Sequence, residues 1–379
     1  MASIYLHIPF CERKCIYCDF YSVTDYQVID DFIVAMCDEI DMCVDYGGRE
    51  QYETIYFGGG TPSLLRPEQI GKILNRLQRT FSIKPDAEIT LEVNPGTVDR
   101  GKLTALQQLG VNRLSIGVQS FFDDELQLLT RIHSAAQGIQ TIALAKEIGF
   151  KNISIDLIYA LPKQTVSRWE ETLRRAIAFE PEHISAYSLI IEGGTPLESK
   201  IKLKEMKPTP LELEAEMYTL AMEILNDTGY EHYEVSNYAE AGYCSKHNCN
   251  YWNHSNYIGI GPSAHSFWSI KRWWNVSDLR TYINQIMLKH LPIAGSELLI
   301  PEQLLDEAVM LGLRTGKLNL QQVREEHGID FLESSHSLIE QLISNKLVIL
   351  NEQILTLTNK GFLICDEISE RILASIAVR

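Results

Sequence analysis

Ser3-Ile4-Tyr5-Leu6-His7-Ile8-Pro9-Phe10-Cys11-Glu12-Arg13-Lys14-Cys15-Ile16-Tyr17-Cys18 begins as a strict alternation of side chains and runs straight into three cysteines. Successive side chains of a strand point to opposite faces, so Ile4, Leu6 and Ile8 share one face while Ser3, Tyr5 and His7 share the other. Five further runs of strand character follow, at residues 54–58, 88–93, 113–118, 152–158 and 183–189, with amphipathic helical stretches between them. Strands that alternate with helices in this way imply a parallel sheet with helical crossovers. No glycine fingerprint of the dinucleotide-binding kind follows the first strand. The series therefore predicts an α/β protein built on a barrel, incomplete at six βα units.

The alternation also describes the barrel's interior. Leu91 and Val93 oppose Thr90, Glu92 and Asn94; Leu114, Ile116 and Val118 oppose Ser115, Gly117 and Gln119; Ile153, Ile155 and Leu157 oppose Ser154 and Asp156. The apolar set must meet the outer helices, so the inner face is small and polar. A closed (β/α) barrel fills its interior with bulky branched residues, and this pattern predicts an interior made to hold a polar ligand.

Around this core the helices are legible. Residues 30–46 carry Phe32, Ile33, Met36, Ile40 and Val44 at helical spacing and reach a stop at Gly47-Gly48, and another helix starts at Pro67. A further amphipathic helix occupies about 208–229, and 231–264 is rich in Tyr, Asn, Gly and His without clear periodicity. The expected organisation is a barrel over 1–230, a loop-rich connector over 231–300 and a third unit over 301–379. In the last, helices at 302–313, 320–326 and 331–344 precede a hairpin of 347–350 with 354–357, which suggests a winged-helix-like α+β module. That unit has seven Lys or Arg against twelve Asp or Glu, the wrong sign for phosphate contact.

Composition narrows the function classes. A hydrophobic fraction of 45% and a charged fraction of 22% are those of an ordinary globular protein, and the formal charge of −16 repels nucleic acid and anionic lipid. The first residues carry no secretory signal pattern and no apolar run reaches spanning length, so a cytoplasmic protein is expected. Eight cysteines, three of them within residues 11–18, do not make a distributed disulfide framework.

Those three cysteines carry the chemistry. A C-x3-C-x2-C loop directly after the first strand can hold three irons of a [4Fe–4S] cubane and leave the fourth open. An open iron can chelate the amino and carboxylate groups of S-adenosylmethionine (SAM) and deliver an electron to its sulfonium, chemistry that belongs to the cofactor while the protein positions it. The competing reading is a zinc site completed by a distant Cys244 or His7. Gly58-Gly59-Gly60 ends the second strand, where missing side chains let backbone approach a ligand, and Glu92, Gln119 and Asp156 sit at the barrel end where such folds place function. Each alone is equally consistent with a hydrogen-bonded buried residue.

The order of several segments resembles radical SAM proteins of the HemN/HemW type, related to the oxygen-independent coproporphyrinogen III dehydrogenases, over nearly the whole chain. The resemblance rests on 5-YLHIPFC-11, 57-FGGGTPS-63, 92-EVNP-95, 115-SIGVQSF-121 and 156-DLIYALP-162. It implies a partial (β/α)6 radical SAM barrel with Cys11, Cys15 and Cys18 as cluster ligands. It also implies SAM contacts at Tyr5, Tyr17, Gly59, Gly60, Thr61, Glu92, Gln119, Arg131 and Asp156. The dehydrogenase branch carries a further Cys two positions after the last cluster ligand, where this chain has Phe20. That departure points to the HemW branch, regarded as haem-binding chaperones, and 247-HNCNYW-252 matches the H-N-x-x-Y-W pattern associated with haem there. The resemblance thus implies haem as a bound ligand with His247 as its axial residue, and haem-accepting proteins as partners. A coproporphyrinogen III dehydrogenase and a non-redox zinc-stabilised protein are the alternatives. His247 amid Tyr and Asn also reads as an ordinary loop residue.

Overall fold

The computed structural model describes residues 2–44 and 50–376. Six strands, β1 (Ala2–Ile8), β2 (Gln51–Gly59), β3 (Ser82–Val93), β4 (Arg113–Gln119), β5 (Ile153–Tyr159) and β6 (His183–Ser188), pair in parallel in chain order. Their apolar faces meet the helices as the alternation requires: Ile4, Leu6, Ile8, Leu91, Leu114, Ile116 and Ile155 are all fully buried. The helix Val166–Ile177 shows how local signals set the crossovers. Thr165 caps it by accepting from the Arg168 N–H, and its buried Trp169 donates from Nε1 to the Met217 carbonyl at 2.9 Å.

The segment expected to be a loop-rich connector is more ordered than that. It holds β7 (Glu231–Glu234), β8 (Asn237–Ala239), β9 (Asn256–Ile260), β10 (His265–Trp268), β11 (Lys271–Asn275) and β12 (Ile293–Leu298), with helices Lys246–Trp252 and Leu279–Met287. These strands extend the barrel sheet at both edges, in the order β12-β11-β10-β9-β1-β2-β3-β4-β5-β6-β8-β7. β9 joins β1 in parallel and β8 joins β6 antiparallel. Strands of three to six residues are too short to show a period by themselves, and only pairing with an existing edge stabilises them.

Buried Glu39 joins the first helix, Ile29–Met42, to this extension. Its carboxylate accepts from Tyr282 Oη (2.5 Å), Asn275 Nδ2 (2.6 Å) and the Gly261 N–H (2.8 Å). The stop expected for that helix at Gly47-Gly48 lies outside the described residues.

The third unit has its own core around Leu305, Val309, Phe331, Leu342 and Leu355. The expected hairpin is present as β14 (Val348–Asn351) and β15 (Ile354–Leu357), and β13 (Lys317–Asn319) pairs with β15 to complete a three-stranded sheet. The helix expected over 331–344 is broken into Phe331–Ser334 and His336–Ser344 at Ser335.

Candidate functional site

The residues that open the chain assemble the mouth of the barrel, at the ends of the parallel strands. After β1 the backbone turns through Pro9 and Phe10 into the cysteine loop, which four distant segments hold. The Cys11 N–H donates to the Val23 carbonyl (2.9 Å), the Ile16 N–H to Thr130 Oγ1 (3.1 Å), and the Leu197 N–H to the Ile16 carbonyl (2.9 Å). Gly60 completes the anchoring by donating to the Ile8 carbonyl at 2.8 Å.

The glycine ridge is closely packed against the chain that leads into the cysteine loop. A Cβ at Gly60 would lie 2.7 Å from the Phe10 carbonyl oxygen, and one at Gly59, whose φ is +107°, would lie 2.7 Å from the His7 ring. Glycine is therefore required here by the close approach of β1, besides any approach of a ligand. His7 Nε2 donates to the Tyr21 carbonyl (2.9 Å), which leaves Nδ1 to accept from Tyr5 Oη (3.2 Å). The ring is thus neutral and fixed, in keeping with burial that lowers its pKa.

Polar side chains reach the cysteines from two sides. Thr61 Oγ1 donates to Cys11 Sγ at 3.5 Å, and Arg131 Nη1 approaches Cys15 Sγ at 3.7 Å while its Nη2 donates to the Gly117 carbonyl at 2.9 Å. Gly117 makes the room: a Cβ there would stand 2.9 Å from Gln119 Nε2 and 3.2 Å from Arg131 Nη2. Burial pushes the Cys11 thiol up, and pushes Cys18 up to about 11, with each raised further by neighbouring cysteine charge. Three thiols on one loop beside a guanidinium fit a soft metal centre, because a coordinating metal deprotonates them outright. Among the described residues, no three His, Cys, Asp or Glu side chains are gathered closely enough to hold a metal ion, those of the cysteine loop included.

Below the loop, the inner face is polar as the alternation predicts. Glu92 accepts from Tyr56 Oη at 2.9 Å, and burial, offset in part by that bond and reinforced by the charge of Asp156, pushes its carboxyl up to about 7. Asp156 accepts from Ser115 Oγ (2.6 Å) and Ser154 Oγ (2.8 Å). The chain of bonds continues inward from Ser154 to His183 Nδ1 (2.8 Å) and from His183 Nε2 to Tyr233 Oη (2.8 Å). Gln119 ends β4 with φ +65° and Ala160 follows β5 with φ +58°. Left-handed backbone at non-glycine residues collects at sites whose surroundings over-determine it. Tyr17 is packed with Leu129, Ile158 and Leu161.

Glu92, Asp156, Tyr5, Arg131 and the cluster loop thus line one lumen. His247 belongs to its other end. The helix Lys246–Trp252 covers the start of the strands, with Asn250 Nδ2 donating to Ser3 Oγ (2.6 Å) and the His247 N–H to Glu88 Oε1 (3.2 Å). The five-residue path from Ser3 to Ile8, at about 3.3 Å per residue, sets this helix roughly 17 Å from the cysteine loop along the strand. His247 is 1% exposed, stacks on Tyr56 at 4.9 Å, and has both ring nitrogens engaged, Nδ1 with Thr54 Oγ1 (2.7 Å) and Nε2 with Tyr251 Oη (3.0 Å). Burial lowers its pKa to about 3. In this conformation it offers a metal no free nitrogen.

Sequence reasoning missed Thr130, which pins the cysteine loop, and Arg113, which lies deep in the lumen. Nothing in their spacing distinguishes them, although the inward phase of Arg113 on its strand was available.

A parallel strand series with a three-cysteine loop over a polar lumen defines the radical SAM class. Residues 5–176 match the Radical SAM superfamily and residues 299–364 the HemN C-terminal domain. The chain is 36% identical to the heme chaperone HemW of Bacillus subtilis, over 97% of this chain and 98% of that one, and 33% identical to that of Lactococcus lactis, over 98% and 97%. It therefore belongs to the HemW family. Among solved structures, the coproporphyrinogen III oxidase HemN of Escherichia coli shares the fold, with a TM-score of 0.85 at 24% identity over 98% of this chain and 89% of that one. Radical SAM membership implies a [4Fe–4S] cluster and SAM. No helix among the described residues is long and apolar enough to cross a membrane.

Proposed function

We propose that this chain holds a [4Fe–4S] cluster on Cys11, Cys15 and Cys18, binds SAM at the barrel mouth, and receives haem for delivery to haem-dependent proteins in the cytoplasm. The observation that carries the first two parts is the loop of three thiols fixed over a polar lumen, with Thr61 and Arg131 directed at two of the sulfurs. When bound, the cluster supplies an electron and SAM a source of carbon-centred radical chemistry.

The chain's own residues do the rest. Glu92 and Asp156 offer acceptors to the ammonium and hydroxyl groups of SAM. Gly59, Gly60 and Thr61 form a wall without bulky side chains for its methionyl end. Gln119 and Arg131 supply donors, Tyr5 borders the lumen, and Tyr17 gives an aromatic face for the adenine.

The haem part rests on the relatives' printed function and on Phe20, which stands where a dehydrogenase has its further cysteine and is 60% exposed beside the cluster loop. Ligation of haem by His247 requires Tyr251 or Thr54 to release a ring nitrogen and the helix Lys246–Trp252 to lift from the barrel.

The deciding experiment gives anaerobically reconstituted protein SAM, a strong reductant and coproporphyrinogen III, and follows tetrapyrroles together with 5′-deoxyadenosine. No decarboxylated product from a cluster-loaded, SAM-binding sample, with haem then bound stoichiometrically, is the expected result. Protoporphyrinogen formed with matched SAM cleavage makes the chain a dehydrogenase instead. Stoichiometric zinc in place of iron and labile sulfide ends the cluster reading.

A further inference from the structure

Left-handed backbone at non-glycine residues gathers on two segments of the mouth. Gln119 ends β4 with φ +65° and Thr130 has φ +58°, with the short helix Asp123–Leu128 between them. Ala160 (+58°) and Lys163 (+70°) lie in the turn that follows β5. Such backbone persists only where its surroundings over-determine it, and the side chain that ties the two segments together is Glu125.

Glu125 is 6% exposed, and three donors converge on its carboxylate. Ser120 Oγ, itself fully buried, donates to Oε2. Gln164 Nε2 donates to Oε1 at 3.3 Å, and Arg168 Nε pairs with the same oxygen at 3.1 Å. Two of these partners are fixed by backbone at their other ends: Ser120 Oγ accepts from the Phe122 N–H (3.1 Å) and Gln164 Oε1 from the Leu161 N–H (3.3 Å). One carboxylate thus joins the residue after Gln119 to the turn that begins at Ala160. The helix that carries it continues into Leu129, whose N–H donates to the Glu125 carbonyl at 3.0 Å. Leu129 packs with Ile158 and Leu161, and Tyr17 of the cysteine loop lies against that group.

We propose that Glu125 is a positioning residue for the adenine end of SAM: by tying the end of β4 to the turn after β5, it sets Gln119 and the apolar bed on which Tyr17 rests. The proposal rests on the reading of the barrel mouth as a SAM site. Without the carboxylate, Ser120 and Gln164 lose the acceptor they share, and the left-handed backbone at Gln119 loses what holds it. Thr209 Oγ1 holds the Ala160 and Leu161 carbonyls independently, at 2.8 and 3.0 Å, so the turn loosens without being released. The bonds from Gly60 to Ile8, Cys11 to Val23 and Leu197 to Ile16 lie outside this network. The cysteine loop and the seat of the methionyl end therefore stay in place.

The test uses the full chain, anaerobically reconstituted with its cluster. Equilibrium dialysis with labelled SAM gives the SAM affinity, and displacement of that SAM by free methionine gives the affinity of a ligand with the amino and carboxylate groups but no adenine. Glu125→Ala is expected to weaken SAM about tenfold and to leave methionine unchanged. Glu125→Gln, which keeps one acceptor oxygen, is expected to lose less. Unchanged SAM affinity in Glu125→Ala, or an equal loss for SAM and methionine, overturns the proposal, and so does methionine that fails to displace SAM from the natural protein. If Glu125→Ala takes up no cluster, Gln164→Met makes the same comparison by severing only the tie to the turn after β5. Tyr17→Leu separates the two ideas. If it leaves SAM affinity untouched, the adenine assignment fails and this proposal with it; if it weakens SAM while Glu125→Ala does not, only the role of Glu125 fails.

Discussion

The two ends of the barrel are built on opposite terms. At the mouth, the cysteine loop is held by single hydrogen bonds from separate segments, such as the Thr130 hydroxyl, and the strand ends carry left-handed backbone at Gln119 and Ala160. At the floor, the helix Lys246–Trp252 presses a histidine against Tyr56 and Thr54, its second ring nitrogen held by Tyr251 of the same helix. Strained backbone is tolerated where a ligand completes the site. Closed networks belong where the structure must complete itself.

Cysteine substitution tests this contrast most severely. Replacing Cys11, Cys15 or Cys18 by Ala is expected to abolish the cluster's broad visible absorbance. His247→Ala, at the other end, is expected to leave that absorbance intact. A cluster lost with His247 would show that the ends are not separable.

A smaller but still large effect is expected at the ridge. Gly60→Ala drives a Cβ against the Phe10 carbonyl and forces backbone to shift, which should cost roughly 1–3 kcal/mol and lower iron loading. Gly193→Ala, with nothing within 4 Å of its Cβ, should leave iron content unchanged.

At the floor, His247→Ala strands Thr54 and Tyr251 and should lower stability in urea by about 1–3 kcal/mol. A neutral result would mean that the helix packs without its histidine.

The brace at Glu39 is expected to act through pH. Burial pushes its carboxyl up to about 7, above the roughly 4.3 of an unfolded glutamate. The folded chain then binds the proton more tightly than the unfolded chain, so this contribution is full below the unfolded value and lost as pH rises through 7. Denaturation at pH 5 and pH 8 should show a smaller fall for Glu39→Gln than for the natural protein. The slope should persist in part, because Glu92 and Glu234 are also pushed up to about 7.

The smallest effect is expected at the surface of the third unit. Arg314→Ala removes a contact to the exposed Asp366 and should change stability by less than about 1 kcal/mol.

The sequence by itself determined the strand series, the inward phase of Glu92, Asp156 and Ser115, and the three-thiol loop at the end of β1. Each is a local property, carried by a period of two or by spacing within eight residues. Only the tertiary structure decided that the 231–300 segment extends the sheet at both edges, since its strands acquire their bonding partners from β1 and β6. It also decided that His247 lies at the floor and the cysteines at the mouth, and that Arg113 sits beneath Glu92. Those placements depend on which distant strands pair and in what register, and no spacing along the chain records that.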